Sequence, residues 1–273
     1  MKKTIVIFII TILAFAPSMQ SAAEDALAFK ARSQTEGAVG VWQTLEIDTS
    51  WNPNQTCVII CDMWNKHWCN GATQRVGDMV PQMDNLVSAL RDKGVFIIHA
   101  PSGTLDHYKL LPQRKLAQEA KYIQPPVEIQ GWCHLDPDDE APLPIDDSDG
   151  GCDCQPQCQQ YTAWSMQHPG LTIAPQDAIS DNGQEIFNLI AQRGIQNVIL
   201  MGVHTNMCVL GRPFGIRQQT RLGLNVMLVR DMTDTMYNSR MYPYVDHNIG
   251  TRLVIHHVEK YWAPTVTSDD LLN

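Results

Sequence analysis

Three side chains able to do acid, base or nucleophile chemistry stand where apolar runs end. Asp62 closes TCVIICD (56–62), His99 lies in VFIIHA (95–100), and Cys208 follows NVILMG (197–202) within HTNMCVLGRPFG (204–215). Cys208 has four roles open to it: a buried packing residue, half of a disulfide, a metal ligand, or a nucleophile. A cysteine between a strand-like and a helix-like run sits near helix N–H groups and the positive end of the helix dipole, which favour a thiolate and can hold a developing oxyanion. An acid ending so apolar a run supplies the partner a thiol needs. An acid and a thiol thus meet on one edge, provided their strands are neighbours; capping the loop after the strand is the other role open to Asp62.

The elements that must position them are legible as runs and periods. Continuous apolar runs at 56–62, 95–100, 197–202 and 224–230 read as buried parallel strands, and LTIA (171–174) as a short one. Val76, Met79, Val80, Met83, Leu86, Val87 and Leu90 repeat at helical spacing over 76–92. Further helices are expected at 113–121, from Asn182-Gly183 onward, after Cys208, and over 245–262. Strands alternating with helices predict an α/β domain, a doubly wound parallel sheet with helices on both faces, in which ligands bind outside the carboxyl ends of the strands. Arg230-Asp231 and Asp234 are expected to end the strand at 224–230 and organise its loop, and His247 to face the same edge.

The 273-residue chain carries 20 basic and 29 acidic residues. Lys2 and Lys3, the apolar run Ile5–Ala16 and Ser21-Ala22-Ala23 form a signal-peptide pattern, with an apolar segment too short for an ordinary membrane span. Export to the periplasm or medium is expected. Removing residues 1–23 leaves 250 residues and, with both lysines gone, a formal charge of −11. Such a surface excludes nucleic acid and anionic lipid as partners and suits a small-molecule substrate. Residues 24–55 read as a polar lead-in, 56–262 as one domain, and 263–273 as a tail. An acidic, Pro- and Gly-rich insert at about 130–170 interrupts the domain, as a lid or an oligomer contact. It carries Cys133, Cys152, Cys154 and Cys158. In an exported chain these read as disulfides; zinc is the alternative, although C-x-C-x3-C is not a pair of C-x2-C knuckles.

VIICDMWNKHWC (58–69) and GIQNVILMGVHTNMCVLGRPFGIRQQTRLGLNVMLVRDMTD (194–234) resemble the isochorismatase-like cysteine hydrolases, among them nicotinamidases and N-carbamoylsarcosine amidases. The likeness covers most of 56–262 apart from the insert. It implies a three-layer fold with a mainly parallel six-stranded sheet, and hydrolysis of small amide or carbamoyl C–N bonds through a thioester. By position it makes Asp62 the general base and Cys208 the nucleophile. It places a cis peptide at Val203–His204 and an oxyanion site in the backbone near Cys208. A lysine is also implied, on the strand before the Gly183 helix, where this sequence has Pro175 and Gln176. Lys66, four residues beyond Asp62, is a candidate substitute or a solvent-exposed loop lysine. Trp64, His67, His99, Tyr108 and Gln176 are expected around the pocket. Nicotinamidase-like members hold zinc through an Asp-x-His pair and a further His. Here His99, Asp106 and His107 occupy the matching region without that spacing, so no cofactor is required and a divalent metal such as zinc is the alternative. Two other functions stay open: a ligand-binding homologue without turnover, and hydrolysis of a non-amide bond such as a vinyl ether.

Overall fold

The computed structural model describes residues 26–272; the signal-peptide segment lies outside them. The buried runs form the centre of one sheet. Strands β3 (Thr56–Cys61), β4 (Phe96–Ala100), β5 (Ala178–Ile179), β6 (Asn197–Val203), β7 (Asn225–Asp234) and β8 (Thr265–Val266) are parallel, in the order β8-β7-β6-β3-β4-β5. That is the expected doubly wound arrangement. Alternate side chains of each central strand supply opposite faces, as the two-residue period of a strand requires. Val58 and Ile60 of β3, with Ile199, Met201 and Val203 of β6, join the core built with α1 (Asn70–Asp92). Cys57, Ile59 and Cys61, with Val198 and Leu200, join the other, built with α2 (Pro112–Gln118), α3 (Gly183–Gln192), α4 (Ile216–Arg221) and α5 (His247–Tyr261). Each fully buried Leu, Ile or Val contributes roughly 1.5–3 kcal/mol, so two such cores hold the sheet rigid.

The structure corrects the sequence reading in three places. The lead-in is a hairpin, β1 (Leu27–Ala38) and β2 (Val41–Trp51), which pairs antiparallel with β8 and widens the sheet to eight strands. Its inner end alternates buried Leu27, Phe29 and Ala31 with exposed Ala28 and Lys30, a pattern too short to stand out among polar neighbours. The supposed tail contributes β8 and α6 (Ser268–Leu272), with Leu271 in the core and Asp231 holding the Ser268 N–H and hydroxyl. LTIA is irregular chain. The strand follows it at Ala178–Ile179, level with Ile98 and His99.

Candidate active site

Register brings the two halves of the site together. Cys61 is level with Ala100 of β4 and Gly202 of β6, so the residues following β3 and β6 emerge side by side at the carboxyl edge. Asp62 leaves β3 in the left-handed region, at φ 48, and its N–H donates to the Ala100 carbonyl at 3.1 Å. A non-glycine residue held there is strained, and such strain clusters at functional sites. Gly202 has φ 109, and a Cβ there would overlap the Cys61 carbonyl. Only glycine permits this approach of β6 to β3. The Val203–His204 peptide is cis, as the resemblance implies, and a π-helical turn, Thr205–Val209, carries Cys208. Thr205 anchors that turn by donating to the Asp234 carbonyl at the end of β7.

Asp62 is completely buried, and both its oxygens are occupied. The Ser102 N–H donates to one at 2.7 Å and the Arg212 Nε to the other at 3.0 Å. The Cys208 thiol lies close enough to the same carboxylate for each to shift the other's titration. Arg212 is the cation that the missing lysine left open. It lies one helical turn beyond Cys208, where its N–H donates to the Cys208 carbonyl at 3.0 Å, and its guanidinium faces the Trp132 ring. Lys66 is not that cation: its side chain is exposed and lies over Tyr161.

Burial pushes the Asp62 carboxyl above the ordinary carboxylate range, opposed by Arg212, by the hydrogen bonds from Ser102 and by Cys208. Burial also pushes the Cys208 thiol up, and Asp62 adds to this, while Arg212 and the His204 N–H oppose it. The resting cysteine is therefore a thiol beside the Asp62 carboxyl group. The helix-terminus argument for a thiolate fails because desolvation outweighs it here.

The walls are aromatic. Trp64 donates to the Ser102 carbonyl at 3.0 Å and stacks on Trp164 of the insert, ring centroids 4.3 Å apart. His67 stacks on Trp164 and meets the His204 ring edge-on. Burial, aided by Arg75, lowers the His67 pKa to about 4, so its ring is neutral near pH 7. The insert is pinned across the site by two backbone bonds, Asn65 N–H to the Met166 carbonyl and His168 N–H to the Met63 carbonyl, which together make an antiparallel bridge between Trp64 and Gln167. Asp234, with Arg75 and His247 on its two oxygens, stands behind His204.

Other expected site residues lie elsewhere. His99 is buried with one ring nitrogen against the Gln167 amide oxygen and the other against Asp177, which Arg91 also holds. Tyr108 is buried and its hydroxyl receives the Gln167 N–H. Asp106 and His107 are exposed on a 3-10 turn. With both His99 nitrogens engaged, His99, Asp106 and His107 do not form a metal ligand set. Gln176 is exposed before β5, near Phe96 at the opposite edge of the sheet. Arg212, Trp132 and Trp164 were missed by sequence reasoning. The signal for Arg212 was its four-residue spacing from Cys208.

No family model matches the sequence, and no curated protein matches it. Solved structures do. A cysteine hydrolase from Pseudomonas syringae pv. phaseolicola superposes with a TM-score of 0.51 at 16% identity, over 81% of this chain and 92% of that one. An isochorismatase family protein from Burkholderia thailandensis has a TM-score of 0.45 at 17% identity, over 81% and 97%. N-carbamoylsarcosine amidase from Thermoplasma acidophilum has 0.41 at 13%, over 79% and 97%. The chain therefore has the α/β fold of the Pseudomonas cysteine hydrolase.

Proposed function

We propose that the protein is a cysteine hydrolase cleaving a small amide or carbamoyl C–N bond, and that it acts in the periplasm or outside the cell. The observation that carries this reading is Cys208 brought by β6 beside the buried Asp62 carboxylate of β3, whose oxygens accept from the Ser102 N–H and Arg212. Asp62 takes the thiol proton as sulfur attacks the substrate carbon, then gives it to the departing amine or ammonia. The resulting thioester is hydrolysed by water, whose proton passes to Asp62 and returns to the thiol as the acid leaves. Arg212 favours the ionised form of Asp62 in a dry site, and the Trp64–Trp164 stack suits a flat, small substrate.

The test is turnover of a panel of small amides and carbamoyl compounds, with acid-quenched samples mapped by mass spectrometry for an acyl group on Cys208. Cys208→Ala and Asp62→Asn should each lose about 10³-fold or more in kcat, because the two act as one unit. Turnover that survives Cys208→Ala but not Asp62→Asn would sink the thioester reading and support cleavage of a non-amide bond. Ligand binding without turnover in the wild type would make the protein a binding homologue.

A further inference from the structure

Four cysteines that the proposed reaction does not use converge beside the site. Cys69 caps α1, and Cys152, Cys154 and Cys158 come from the insert. The sulfurs of Cys69, Cys152 and Cys154 all lie within 4.8 Å of one another. Cys158 brings a fourth thiol to the same helix end, where it and Cys154 take the adjacent N–H groups of Asn70 and Gly71. No other group of three or more His, Cys, Asp or Glu among the described residues has this geometry.

We propose that Cys69, Cys152, Cys154 and Cys158 bind one tetrahedral, thiophilic divalent cation of the zinc class, in a closed structural site. The Cys69 and Cys154 sulfurs are 3.8 Å apart. Four sulfurs at about 2.3 Å around zinc have edges of about 3.8 Å, whereas a disulfide brings its sulfurs to about 2.05 Å. The surroundings suit thiolates. The N–H of Asn70 donates to Cys158 Sγ at 3.5 Å and that of Gly71 to Cys154 Sγ at 3.3 Å. These are the first N–H groups of a 23-residue helix, which have no intrahelical partner and carry the positive end of its dipole. Arg240 donates to the Cys154 carbonyl, placing a cation near a site whose four thiolates and one divalent ion sum to −2, while Arg75 balances Asp153, whose carboxylate meets Cys69 Sγ at 3.8 Å. Binding releases the four thiol protons to solvent. Cys154 and Cys158 are only half-buried, which leaves a route for the ion.

This arrangement overturns the sequence argument against zinc, which saw no paired C-x2-C knuckles. The fourth ligand comes from a helix N-terminus more than eighty positions away. It also tells what the ion does. Cys69 lies two residues beyond His67, and the insert carries Trp164, so the ion would lock the aromatic walls in place. The inference does not depend on the proposed reaction, and its primary readout is metal rather than turnover.

The experiment is elemental analysis of the full chain, purified under reducing conditions with zinc supplied, followed by cobalt(II) exchange. One zinc per chain is expected, with the sulfur-to-cobalt charge transfer and strong visible bands of a tetrahedral thiolate site. The Cys154→Ser/Cys158→Ser double variant should lose the ion, and Cys208→Ala should keep it. Full-occupancy metal in the double variant would overturn the assignment. So would a wild type that takes up no stoichiometric zinc or cobalt when its thiols are reduced, whether or not peptide mapping of the oxidised protein finds disulfides among the four.

Discussion

Arg212 decides how Asp62 behaves. A fully buried carboxylate is destabilised by desolvation, and the nearest compensating charge is this guanidinium at 3.0 Å. Removing it leaves burial unopposed by charge, so the Asp62 pKa rises further. If Asp62 must be ionised to accept the thiol proton, the acid limb of the pH–kcat/KM profile moves to higher pH in Arg212→Gln. Roughly 10²-fold should be lost at neutral pH, the lower end of what a general base contributes. Arg212→Lys should recover part of both, since it restores the charge without the planar fork. An acid limb unmoved in Arg212→Gln would remove Arg212 from this role. At this scale the sequence was readable where chemistry and a strand end coincide, as at Asp62 and Cys208. Gln176 was misplaced because Asp177 interrupts the apolar run and hides where β5 starts. Arg212 needed only the helical spacing after Cys208, but a cation was sought beside Asp62 in sequence rather than across the sheet.

The insert is an element without regular structure, and polar clamps substitute for strand or helix bonds. Glu140 is a buried one. The carboxylate accepts from Arg217 of α4 and from His257 of α5, each at 2.6 Å. Burial alone would raise its pKa, yet these hydrogen bonds outweigh it and hold the group down to about 2, from an ordinary 4.5. A carboxyl depressed in this way stabilises the folded state above its ordinary pKa, and the contribution disappears as pH falls through about 2. Glu140→Ala should therefore cost about 3–5 kcal/mol at pH 7, because it strands a buried arginine. The Glu140→Gln variant should flatten the dependence of the urea midpoint on pH between neutrality and acid. An unchanged slope would place the acid sensitivity elsewhere, Asp234 being next, also held down to about 2 against burial by His247 and Arg75. None of this was visible in the sequence. An acidic, Pro-rich stretch looks solvated until a partner on another helix is known, and composition does not carry pairings across some eighty positions.

On the scale of the whole molecule, the central strands and the order of helices were legible because each obeys its own period over enough residues. The margins were not, since β8 and β5 span two residues each and a two-residue strand has no period. The hairpin shows what this concealed. At its root Phe29 is buried in the same core as α1 and meets Trp51 edge-on at 5.3 Å, while Arg32 and Gln34 both donate to Glu259 of α5. At its tip Val39 is fully exposed, and Val41 is half exposed. The root is thus part of the α/β core and the tip is not. Phe29→Ala should cost about 3–5 kcal/mol, the range for emptying a buried aromatic site. Replacing residues 38–41 by a short Gly-containing turn, which leaves Trp42 on Tyr261 and Lys260, should cost far less, since loop closure depends only weakly on length. Urea unfolding of the two variants distinguishes them. Equal midpoints would mean that the hairpin folds as an appendage, with β8 and the rest of the sheet sufficient without it. A large loss confined to Phe29→Ala would make eight strands, not six, the unit that folds.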